Sequence, residues 1–209
     1  YVKIFEEERE LTMVLMVDIS SSQMFGSSVN LKKDLLIEIC AVLAFSAMQN
    51  NDKVGVIFFT DEIELFIPPK KGKKHILRII RELINFKPKG VKTNIANACE
   101  YLNNVIKKKS IVFLLSDFID NNFAQSLSLV SKKHDLSGIR IFDDLEQNLH
   151  SLGLGLFWDP ENKDYNLIDT SDKLVNDSIQ SFYNDKCKYF RDSFLKTGSS
   201  VVNISTSDS

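Results

Sequence analysis

No apolar run in this chain is long enough to cross a bilayer, and no signal-peptide pattern opens it. Charge of one sign is also missing. The formal net charge is −2 over 209 residues and the pI is about 6.0, so no global field favours nucleic acid. There is no internal repeat, low-complexity tract or convincing linker, and 44% hydrophobic with 26% charged residues is ordinary globular composition. Cysteine is scarce: Cys40, Cys99 and Cys187 are isolated and odd in number. Cys40 and Cys99 fall in apolar helical patterns, where a cysteine acts as a small buried hydrophobe. Such usage suits a reducing compartment, most simply the cytoplasm. A chain that opens on Tyr1 instead of methionine is expected to be a fragment or processed form, with room upstream for a membrane tether.

Catalytic signatures are short as well. No Gly-x-Ser-x-Gly elbow surrounds any serine, and His75, His134 and His150 lie far in sequence from the serine-rich segment. Asp18 follows an apolar strand, as the nucleophile of haloacid-dehalogenase-like phosphatases does. The second carboxylate such enzymes need two residues on is replaced by Ser20, which cannot perform that proton transfer near neutral pH.

What the chain does contain is an alternation of strand and helix patterns. Strands are expected at Leu11 to Val17, Lys53 to Phe59, Ser110 to Ser116, Leu136 to Phe142 and Val201 to Ile204. Ile63 to Ile67 is expected to pair with the second strand before Pro68-Pro69 ends it. Helices are expected over Leu31 to Gln49, His75 to Phe86, Ile95 to Ile106, Asn121 to Ser131 and Leu174 to Leu195, and a hairpin across Leu154 to Ile168. This order argues for a doubly wound, mostly parallel α/β sheet with one antiparallel edge strand. Lys70, Lys71, Lys73, Lys74, Arg78 and Arg81 form the one basic cluster, read as a solvated surface. Asp143, Asp144 and Glu146 are read as a solvated loop, and Trp158 with Phe157 as packed beneath the hairpin.

The most informative segment is Val14 to Ser22, an apolar strand that ends in Asp18-Ile19-Ser20-Ser21-Ser22. The strand Ile111 to Leu115 likewise runs into Ser116-Asp117. In an open doubly wound sheet, ligands bind beyond the carboxyl ends of strands where the strand order reverses. Neighbouring first and fourth strands would place Asp18 and Asp117 at one crevice, and Thr93, in a loop entering a helix, can reach it. Carboxylates and hydroxyls are hard oxygen donors, the type Mg²⁺ prefers. Asp18, Ser20, Ser22, Thr93 and Asp117 are therefore the candidate metal ligands, with Mn²⁺ or Ca²⁺ as alternatives to Mg²⁺.

These five residues resemble the metal-ion-dependent adhesion site of von Willebrand factor A (vWA) domains. More narrowly, the chain is similar to the bacterial "domain of unknown function 58" family. The resemblance is carried in order by Glu6 to Leu11, Asp18 to Ser27, Asp52 to Gly55, Pro68 to Gly72, Leu114 to Phe118 and Ile168 to Ser171. It implies a Rossmann-like vWA domain over 1–209, with a core at about 9–142 and a hairpin and helix extension beyond 143. It also implies Ser20 and Ser22 as direct ligands, Thr93 as direct or water-mediated, and Asp18 and Asp117 acting mostly through water or hydrogen bonds. Two departures stand out: Gln23 replaces a frequent methionine, and Asn94 replaces an aspartate that often follows the threonine. The second removes a nearby carboxylate. The resemblance further implies a non-enzymatic binding module whose partner presents an acidic side chain, with a MoxR-type AAA+ ATPase as the candidate partner. A metal-dependent phosphoryl hydrolase using Asp18 and a scaffold with a silent site are the alternatives.

Overall fold

The computed structural model describes residues 10–21, 29–143, 154–159, 164–169 and 171–208. Its elements run in the order β1 (Thr12–Asp18), α1 (Val29–Gln49), β2 (Lys53–Phe59), β3 (Ile63–Lys70), α2 (Lys73–Asn85), α3 (Ile95–Val105), β4 (Ile111–Ser116), α4 (Ala124–Lys133) and β5 (Asp135–Phe142). The hairpin β6 (Leu154–Asp159) and β7 (Asp164–Asp169), helix α5 (Lys173–Leu195) and β8 (Ser200–Ser205) follow. Six strands form one sheet in the order β3-β2-β1-β4-β5-β8, and β6 with β7 forms a separate antiparallel pair. Every pairing in the large sheet is parallel except β2 with β3.

From Met13 onward every residue of β1 is buried, as expected of a strand covered on both faces. Its alternate side chains feed two cores. Val14 and Met16 join Ala98, Leu102, Leu127, Val130, Phe190 and Phe194 from α3, α4 and α5. Met13, Leu15 and Val17 join Leu36, Cys40, Ala44, Ile76, Ile79 and Leu83 from α1 and α2. Each such large side chain, fully buried, contributes about 1.5–3 kcal/mol. Cys40 and Cys99 lie fully buried in these cores, and burial pushes both thiols up to about 12. Asn51, in the left-handed region at φ 59°, closes α1 while the Asp52 N–H returns to the Ala47 carbonyl at 2.9 Å.

Several boundaries differ from the sequence reading for identifiable reasons. β3 does not stop at Pro68-Pro69 but runs through both to Lys70, with a register shift between Val54 and Val56. β3 is an edge strand, where a missing N–H leaves no ladder position empty. α4 starts three residues later than expected because Asn122, at φ 62°, holds the chain in a turn. Asp143 is buried, at 3% exposure, not solvated; Asp144, Glu146 and His150 lie outside the described residues. The side chains of Phe157 and Trp158 also lie outside the description. In the basic cluster, Lys71 pairs with Glu10 at 2.7 Å, and Lys53 joins it at 2.9 Å. The C-terminal stretch supplies α5, whose Phe190 and Phe194 are core residues, and β8, which lies parallel to β5 at the sheet edge. Gly138 makes the α5 packing feasible: a Cβ there would sit 2.6 Å from the Phe194 ring. Among the described residues no helix is long and apolar enough to cross a membrane.

Candidate metal centre

β2 and β4 flank β1 on opposite sides, so the chain reverses its direction of winding between β1 and β4. The crevice beyond their carboxyl ends is where α/β sheets place ligands. Asp18 ends β1 and is fully buried, with each carboxylate oxygen engaged. Its Oδ1 accepts the Ser20 N–H at 2.9 Å. Its Oδ2 accepts from Ser116 Oγ at 2.6 Å, and Thr93 Oγ1 lies 3.3 Å away. Thr93 Oγ1 is also 2.8 Å from Ser20 Oγ, so the two hydroxyls and the carboxylate touch.

The loop that carries Thr93 is fastened from below. The Lys89 and Gly90 N–H groups both donate to Glu64 Oε1, at 2.9 and 2.8 Å. Gly90 itself packs so tightly that a Cβ would collide with Thr60 and Asp61. Ser21 turns away from the crevice and binds the Val91 carbonyl through its hydroxyl at 2.8 Å. Asn94 does not face the site: it is exposed, and its Oδ1 caps α3 by accepting the Asn97 N–H.

Asp117 follows β4 and is 2% exposed. Its Oδ1 accepts the Ile119 N–H at 3.1 Å, whereas its Oδ2 is buried with no hydrogen-bond partner. Lys32 Nζ lies 3.6 Å from it, an ion pair too long for a hydrogen bond, with both side chains almost wholly inaccessible. The turn is held by Phe118 at φ 59°, a conformation that strains a bulky residue by about 1–2 kcal/mol. Its ring offsets that strain by stacking on Phe190 at 4.1 Å and meeting Phe194 edge-on at 5.5 Å.

Electrostatically the pocket is short of positive charge. Burial first, and repulsion from Asp117 second, push the Asp18 carboxyl up to about 7, although Ser116 and Ser20 pull it down. Among the described residues no group of three or more His, Cys, Asp or Glu is placed to hold a metal ion by itself. The oxygens brought together are hydroxyls beside carboxylates, donors of the type that hard divalent cations accept.

Of the five sequence candidates, Asp18, Ser20 and Thr93 are in mutual contact, and Asp117 is close enough for its charge to act on Asp18. Ser22 lies outside the described residues. The sequence reading overlooked two participants. Ser116, the direct partner of Asp18, stood next to Asp117 at the strand end. Lys32 occurs in the sequence as half of an ordinary lysine pair, yet it lies four residues before Leu36 and eight before Cys40, on the buried stripe of α1. A charge on that stripe was the available signal.

A family model described as "Protein of unknown function DUF58" matches residues 1–188. The chain belongs to the DUF58 family. A curated relative, the uncharacterized protein Rv1480 of Mycobacterium tuberculosis, is 24% identical over 165 residues, covering 78% of this chain and 52% of that protein. The chain thus spans about half the length of the curated relatives it matches. Among solved structures, the hypothetical protein BatB from Bacteroides thetaiotaomicron superposes with a TM-score of 0.57 at 14% identity, over 93% of this chain and 90% of that one. Proximal thread matrix protein 1 from the mussel byssus, "with zinc occupied MIDAS motif", gives 0.51 at 18% identity over 63% and 38%. These likenesses concern the fold, and they make this DUF58 chain a vWA-like α/β domain.

Proposed function

We propose that this DUF58 domain is a non-enzymatic, metal-dependent protein-binding module. Asp18, Ser20, Thr93 and Asp117, with Ser22 as the fifth candidate from the sequence pattern, would hold a divalent cation, most simply Mg²⁺. The observation that carries the reading is the buried Asp117 Oδ2, left without a hydrogen bond beside a second buried carboxylate at Asp18. Two such groups at one strand-end crevice are costly unless a cation sits between them. When bound, the cation supplies an open coordination position that a partner's carboxylate completes.

The residues of the chain prepare that position. Ser116 and the Ser20 N–H orient the Asp18 carboxylate, and Thr93 and Ser20 present hydroxyl oxygens side by side. Lys32 offsets part of the negative charge, so the fold tolerates the pocket without metal. The phosphoryl-hydrolase alternative needs an acid/base two residues beyond Asp18, where Ser20 stands. The partner we favour is a protein with an exposed acidic side chain, a MoxR-type AAA+ ATPase being the first to try, on the family resemblance.

Immobilised wild-type domain should capture the cognate ATPase in Mg²⁺ and release it in EDTA. Asp18→Ala and Ser20→Ala should fail to capture it while keeping a native circular-dichroism spectrum. Capture by both variants in chelator, equal to wild type, would end the metal-bridge reading.

A further inference from the structure

A second polar site lies on the far edge of the sheet, between α5 and the β5–β8 pair. It is a cavity of about 330 Å³ with Arg140, Arg191, Asn184 and Asn203 on its polar walls and Phe142 and Phe190 on its apolar side. That volume falls at the lower end of the range for small-ligand pockets. Arg140 is only 6% exposed, and its guanidinium is fixed in place. Nε donates to the Asp117 carbonyl at 3.3 Å, and the guanidinium carbon stacks 4.5 Å above the Phe142 ring. Asn203 is the register partner of Arg140 on β8, so the two stand side by side on the sheet, and Arg191 approaches from α5. Among the described residues neither arginine is paired with a carboxylate.

A guanidinium nine-tenths buried without a counter-charge is unusual, because burial penalises a charge that is not paired. Two guanidiniums and two amides around one concavity supply converging N–H donors, an arrangement that matches the oxygens of a carboxylate or phosphate. The phenylalanine wall suits a compact apolar body attached to that head group. We propose that this cavity binds a small organic oxyanion, with Arg140 and Arg191 gripping the acid group and Phe142 and Phe190 packing its apolar part. Arg140 touches the Asp117 backbone, but none of the candidate metal ligands lines the cavity.

Cys187 also lines the cavity and is half-buried, whereas Cys40 and Cys99 are sealed in the cores. Its thiol is therefore a reporter for occupancy. The labelling rate of Cys187 by an aromatic disulfide reagent should be slowed saturably by phenyl phosphate or by benzoate, and less by inorganic phosphate, which lacks the apolar body. Whichever of the first two protects at lower concentration assigns the head group. The exposed change Arg191→Glu should raise the half-protecting concentration by about tenfold or more. Arg140→Lys should do the same if it folds. Protection should persist in EDTA and in Asp18→Ala, which separates this site from the metal reading. Absence of protection by both acids, or equal protection in Arg191→Glu, would overturn the proposal.

Discussion

At the residue scale, three buried ionisable groups, Asp18, Asp117 and Lys32, share one crevice. Replacing Ser116 with alanine removes the shorter of the two hydrogen bonds to the buried Asp18 Oδ2, leaving only Thr93, and strands the buried Phe118 N–H that donates to Ser116 Oγ, so it should lower stability by about 1–3 kcal/mol in urea titration. Lys32→Met should have two opposite effects. In chelator it leaves Asp117 without its buried counter-charge, so the fold should lose about 3–5 kcal/mol. In Mg²⁺ it removes a competing cation, so affinity should rise by about an order of magnitude, and the gain in melting temperature on adding metal should exceed that of wild type. Asp18 sets a pH dependence of the metal-free protein. Its pKa is raised from 3.8 in the unfolded chain to about 7, so the fold favours the protonated form. That contribution is complete below about pH 4 and is lost as the pH rises through about 7. Wild type in chelator should therefore lose stability over this window relative to Asp18→Asn, as followed by thermal melts. Asp18, Ser20 and Asp117 were legible because each stands at or just beyond the end of an apolar strand. Lys32 was not, because a lysine is read as solvated unless its helical phase is checked against its neighbours. Ser116 went unassigned because nothing in a sequence tells which hydroxyl an aspartate will choose.

At the element scale, the site depends on loops held by backbone hydrogen bonds. The Thr93 loop hangs on Glu64 through two N–H donors and on a glycine that permits close approach to Thr60 and Asp61. Gly90→Ala should displace that loop and weaken Mg²⁺ binding more than it lowers the melting temperature, a split that calorimetry and thermal melts read together. The alternation of strands and helices was plain from apolar periodicity, and the antiparallel β2–β3 edge with it. The end of β3 was misread because proline is a breaker only where its N–H is needed, and edge position is not visible in one strand's sequence. Asp143 looked like loop chemistry because it begins an acidic run, but it closes β5 on the inside of the fold.

At the scale of the whole molecule, the parallel sheet puts the ends of β1 and β4 together and surrounds them with helices from both faces. The C-terminal elements belong to this arrangement: Phe190 and Phe194 hold the strained Phe118 turn, and β8 covers the edge of β5. Removing residues 171–209 should therefore expose an edge strand and release the turn that follows Asp117, giving an aggregating product by size-exclusion chromatography. The proposed function requires the β1–β4 crevice to hold a single divalent cation. Isothermal titration of Mg²⁺ into the chelator-treated wild-type domain tests it most directly. One saturable site per chain is expected, and it should disappear in Asp18→Ala; no binding up to millimolar Mg²⁺ or Mn²⁺, or undiminished binding in that variant, would contradict a metal-dependent role.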